Sequence, residues 1–86
     1  SPAGKGGDTM SNGMVDVTVH IDETLDSMLR GQIANQLRTI KGITNASIRE
    51  KTPHLMVVEF DPEQLGTRDI LDAVTRNGVR AELIGL

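Results

Sequence analysis

The chain contains no cysteine, no tryptophan and no tyrosine, and Phe60 is its single aromatic carbocycle among 86 residues. Missing cysteines exclude disulfides, thiolate metal sites and cysteine nucleophiles together, so packing alone must hold the fold. Without Trp or Tyr there is almost no platform on which bases could stack. A formal charge of −3 points the same way, and nucleic acid is not an expected partner. No apolar run approaches the roughly 20 residues of a membrane span, so membrane insertion is not expected either. No apolar segment flanked by a cleavage site marks a secretory signal, and the expected location is cytoplasmic.

What is present is one small domain behind a polar tail. Residues 1–13 are rich in Gly, Ser, Asp and Lys without periodicity, and the reading is a disordered tail, in part a remnant of cloning, with Met10 or Met14 as the natural start. Residues 14–86 carry the periodic pattern. Val15, Val17, Val19 and Ile21 alternate with Asp16, Thr18 and His20, as in a strand with one buried face. From Leu25 the spacing changes to Leu25, Leu29, Ile33, Leu37 and Ile40, the greasy stripe of a helix. Thr24 is its expected N-cap, with Asp22, Glu23 and Asp26 crowding the turn and first helical positions near the positive end of the dipole.

Lys41-Gly42 ends this helix, since glycine suits the left-handed residue that follows one. A looser alternation over Ile43 to Glu50 predicts an edge strand. His54 to Phe60 carries apolar groups on both faces and predicts a central one. Thr67 is the expected cap of a second helix whose inner face is Ile70, Leu71, Ala73 and Val74, and Asn77-Gly78 closes it before a last strand beginning at Val79. The order β-α-β-β-α-β predicts an α+β, ferredoxin-like sandwich. Right-handed crossovers and interleaved halves give a four-stranded antiparallel sheet of order 4-1-3-2, with both helices on one face.

Several of these residues match a known pattern. Ile33, Leu37 and Ile40-Lys41-Gly42-Ile43, then Val58-Glu59-Phe60-Asp61-Pro62, and finally Ile70-Leu71, Val74 and Gly78-Val79-Arg80-Ala81 resemble the heavy-metal-associated domain. That domain occurs in copper and zinc chaperones, mercury-binding proteins and metal-transporting P-type ATPases, and the resemblance covers residues 17–83. It implies a metallochaperone-like fold whose chemistry sits in a Gly-Met-x-Cys-x-x-Cys loop. Counting back from Ile33 puts that loop at Glu23 to Leu29, where Asp26 and Leu29 stand at the two cysteine positions and Met28 is one residue out of place. The paired thiolates that hold a soft metal are absent, so the family's Cu(I) chemistry does not carry over.

Two other constellations remain. His20 ends the first strand and His54 begins its expected antiparallel neighbour, so both fall at the end of the sheet that carries Asp22, Glu23 and Asp26. Two imidazoles with one or two carboxylates suit Zn, Ni, Co or Cu(II). The open sheet face presents Thr18, Leu55, Val57, Glu59, Arg80 and Ile84 among its outward positions, a small apolar centre with a charged rim. Such a face suits a protein partner or a homodimer. No nucleophile stands paired with a base, and the Gly4-Lys5-Gly6-Gly7 stretch lacks the strand and helix that make a phosphate loop, so no enzyme is expected. The expectation is a non-catalytic binding or adaptor domain that has lost its thiolate site. The alternative is a divalent-metal binder using His20 and His54.

Overall fold

The computed structural model describes residues 13–85, so the expected tail, Gly13 apart, lies outside the described residues. Alternation makes the first strand, β1 (Val15–Ile21), whose Val17, Val19 and Ile21 are buried while Asp16 faces out. Helix α1 (Ser27–Arg38) follows, then strands β2 (Ile43–Ile48) and β3 (Leu55–Phe60), helix α2 (Thr67–Thr75) and strand β4 (Ala81–Gly85). The sheet runs β2-β3-β1-β4, the order expected from the crossovers. β3 lies antiparallel to both β1 and β2, with Val17 opposite Val58 and Ala46 opposite Val58 on its other side.

One parity of the strands and one stripe of each helix form a single core. Val17, Val19, Ile21, Met56, Val58 and Phe60 from the sheet meet Ile33 and Leu37 of α1 and Ile70 and Val74 of α2. Ten of these side chains are almost wholly removed from water, and at roughly 1.5–3 kcal/mol each this burial is the main stabilising term available to a chain without cross-links. The opposite parity is left to solvent.

The helix starts differ from expectation. Apolar spacing put the first helical residue at Leu25, but α1 begins at Ser27 and its N-cap is Asp26 rather than Thr24. Leu25 is buried from the loop, so it extends the apolar stripe without being helical. No acidic residue lies in the first turn of α1, and of the three carboxylates only Asp26 caps it. Helix α2 is capped by Gly66, with Thr67 its first residue; the Gly66 N–H donates to Asp69 Oδ2 at 2.8 Å. Strands β2, β3 and β4 are each slightly shorter than their patterns, and His54 sits just before β3.

α1 ends at Arg38 with Thr39 as its C-cap, short of the expected Lys41-Gly42 stop, so Ile40 lies outside the helix and Gly42 sits in the α1–β2 turn, where it carries φ +102. Its carbonyl accepts from Asp61 N–H at 2.7 Å, tying the α1–β2 turn to the end of β3. A Cβ at this position would stand 2.5 Å from Leu65 Cδ2 and 3.0 Å from Gln64 Cβ, so both backbone conformation and space require glycine.

Candidate functional site

The β1–α1 loop, Asp22 to Asp26, holds three carboxylates, and each has a different partner. Asp26 Oδ1 accepts the Leu29 N–H at 2.8 Å and so satisfies one of the four free amides that open α1. Glu23 Oε1 accepts the Arg80 N–H at 2.8 Å, pinning the loop to the chain entering β4. Asp22 Oδ1 lies 3.2 Å from His20 Nδ1. Leu29 is half-buried and packs against the core, while Met28 is exposed. At the loop where the resemblance implied a pair of thiolates, the chain has a helix cap and a packing residue. This donor set does not fit a thiolate-bound soft metal.

The two histidines do meet. Antiparallel pairing sets His20 opposite Leu55, and Ile21 N–H donates to the carbonyl of His54 at 2.8 Å, which draws the residue before β3 to the end of β1. The rings lie nearly parallel, 16° apart, with centroids separated by 5.8 Å. His54 Nδ1 stands 2.7 Å from the carbonyl oxygen of Ile21, which can only accept, so Nδ1 carries a proton. His20 Nδ1 faces a carboxylate and is the donor by the same logic. Among the described residues neither Nε2 has a hydrogen-bond partner, the usual arrangement when the other ring nitrogen is held by a backbone or carboxylate oxygen. Among the described residues no group of three or more His, Asp or Glu converges on one point. Of the five ligands read from sequence, the structure pairs His20 with His54, keeps Asp22 beside His20, and turns Glu23 and Asp26 to backbone amides.

The open sheet face is concave. A hollow of about 530 Å³ crosses β2, β3 and β1, floored by Leu55 and Val57 and rimmed by Thr18, Ser47, Thr52, Arg49, Asp16 and Glu59. Of the six partner-binding positions read from sequence, Thr18, Leu55, Val57 and Glu59 line it. Ile84 is exposed on β4 and Arg80 precedes that strand, so both lie off to one side. Val57 is 43% exposed and Ile84 50% exposed, which leaves apolar surface in water on this face. Thr44 Oγ1 donates to Glu59 Oε1 at 2.8 Å and fixes that carboxylate at the acidic end of the hollow. Sequence reasoning did not single out Asn45 and Thr52, which also line it; Asn45 is placed by the β2–β3 register and Thr52 by the turn between those strands, where its N–H donates to the Arg49 carbonyl at 3.1 Å.

No protein-family model and no curated protein sequence matches the chain. Solved structures do. Oxidized MerP from Ralstonia metallidurans CH34 superposes with a TM-score of 0.72 at 16% identity, over 81% of this chain and 96% of that one. A copper binding domain from HMA7, a P-type ATPase, gives 0.74 at 20% identity, over 81% and 93%. The N-terminal domain of a potential copper-translocating P-type ATPase from Bacillus subtilis, solved in its Cu(I)-loaded state, gives 0.73 at 23% identity, over 81% and 86%. The fold of this chain is thus the ferredoxin-like sandwich of heavy-metal-associated domains, built here from a sequence without cysteine.

Proposed function

We propose that this protein is a non-catalytic binding module that uses the fold of a metal carrier to engage another protein through its open sheet face. The observation that carries the reading is the exchange at the β1–α1 loop, where Asp26 caps a helix and Leu29 packs on the core. A soft ion has no thiolate to bind there, and the open sheet face offers the hollow over Leu55 and Val57. Its apolar floor and mixed-charge rim have the composition of a modest, transient interface, in which exposed apolar area supplies affinity and the rim supplies register. A photo-reactive residue in place of Val57, introduced in the native host, tests this. A crosslink to one defined protein, suppressed by Leu55→Asp, is the expected result; crosslinking to copies of the chain alone would identify a homodimer instead, and no crosslink would remove the reading.

A second reading is favoured by one observation, the 5.8 Å approach of the His20 and His54 rings with both Nε2 atoms unengaged among the described residues. In it the pair binds a borderline divalent ion, Zn, Ni, Co or Cu(II), with Asp22 near His20 and solvent completing the shell. Titration with Zn(II) while both imidazoles are followed by NMR separates the two readings: both rings respond if the ion is shared, and neither does if the pair is only a hydrogen-bonded rim.

A further inference from the structure

A second surface, independent of the open face, lies on the outer side of β2. This strand is the sheet edge, so alternate residues of Ile43–Ile48 direct backbone N–H and C=O groups away from β3, with no strand among the described residues to receive them. Edge strands are ordinarily blunted by charge or proline, yet Ile-Thr-Asn-Ala-Ser-Ile carries neither, and its bulge is confined to the Ile43–Asn45 end. Beside this edge runs α1, and between them lies a groove of about 260 Å³.

The helix wall of that groove has a distinctive composition. Ser27, Arg30, Gly31, Ala34 and Arg38 recur at three- and four-residue steps and so fall on one face of α1, about 100° of its circumference. Gly31 costs the helix about 1 kcal/mol relative to alanine, and among the described residues no packing contact requires it, since beyond its own helical turn a Cβ there would meet nothing within 4 Å. The room is open to the outside. At its two ends stand Arg30, whose Nη1 donates to the Leu25 carbonyl at 3.3 Å, and Arg38, whose Nη1 donates to Asn35 Oδ1 at 2.8 Å. Each guanidinium thus has a local oxygen partner, and among the described residues neither lies within 4 Å of a carboxylate oxygen, although Glu50 lines the same groove.

We propose that this groove receives an extended acidic segment of a partner protein, added as a fifth strand to the edge of β2. Main-chain hydrogen bonds to β2 supply the pairing, and the helix wall selects the side chains. Arg30 and Arg38 are eight residues apart, about 12 Å along the helix axis. Residues four apart on one face of a strand are about 13 Å apart. Two acidic side chains at that spacing reach both arginines, and a small residue midway passes over Gly31 and Ala34. Glu50, just beyond β2, also lines the groove and repels a further acidic group.

The test is a short capped peptide of threonines carrying two glutamates four apart with an alanine midway, titrated into the labelled protein. Shifts and slowed exchange are expected at the β2 amides from Asn45 to Ile48, together with shifts of the Arg30 and Arg38 side chains. Charge reversal by Arg30→Glu or Arg38→Glu should each weaken binding about tenfold or more, and glutamines in place of the glutamates should do the same. Gly31→Leu, which improves helix propensity and so keeps the fold, should block the groove. Shifts confined to the open face, equal binding of the glutamine peptide, or binding unchanged in Gly31→Leu would each overturn the proposal. So would equal affinity for an oligonucleotide of matched charge, or β2 protection that rises with protein concentration alone. The peptide reports on β2 and the Val57 crosslink on the open face, so either reading can fail without the other.

Discussion

Asp26 and Leu29, which stand where two thiolates would be needed, are joined by a hydrogen bond: the Leu29 N–H donates to Asp26 Oδ1 at 2.8 Å. The position that matters for metal chemistry in the resembling fold is therefore structural here. Asp26→Ala should lower stability by about 1 kcal/mol, as the loss of a helix cap does, and Asp26→Asn by much less. Thr24→Ala should be close to neutral because Thr24 caps nothing. Urea denaturation of the three variants checks the ranking.

Glycine is needed at Gly42 for two reasons and at Gly78 for one. Gly78 has φ +84 but open space where a Cβ would go, so Gly78→Ala should cost about 1 kcal/mol from backbone strain. Gly42→Ala adds a clash with Leu65 and Gln64 and should cost clearly more, about 2–4 kcal/mol. Thermal unfolding of the pair measures the difference.

Gly31 behaves in the opposite sense. With nothing near its Cβ position, Gly31→Ala should stabilise the protein by about 1 kcal/mol through helix propensity. Equilibrium unfolding reads this directly, and a destabilised variant would show that a close contact is made there.

Among the described residues His54 is tied to the backbone of β1, whereas His20 faces a surface carboxylate. His54→Ala should therefore lower stability by about 1 kcal/mol, and His20→Ala by less than about 0.5 kcal/mol. If the rings share a divalent ion, Zn(II) should raise the melting temperature of the parent and of neither variant.

Much of the fold was legible from the strands. Val17, Val19 and Ile21 share one parity because the sheet buries a single face, and the Gly42 and Gly78 turns are fixed by conformations that few other residues adopt. The start of α1 falls later than its apolar spacing suggests because Leu25 is buried from the loop, continuing the helical stripe by tertiary packing alone. The approach of His20 to His54 followed from antiparallel pairing of β1 with β3. The engagement of Glu23 by Arg80 did not, since that hydrogen bond joins residues 57 positions apart and leaves no local pattern. The groove beside β2 was equally hidden, because the spacing that places Gly31 near Arg30 and Arg38 acquires meaning only once β2 is known to lie alongside.

The most direct measurement is competition for Cu(I) against a strong chelator, with the Asp26→Cys, Leu29→Cys double variant in parallel. With no thiolate pair in this fold, the parent chain should surrender all Cu(I) while the double variant retains about one equivalent. Retention of one equivalent by the cysteine-free parent would contradict it.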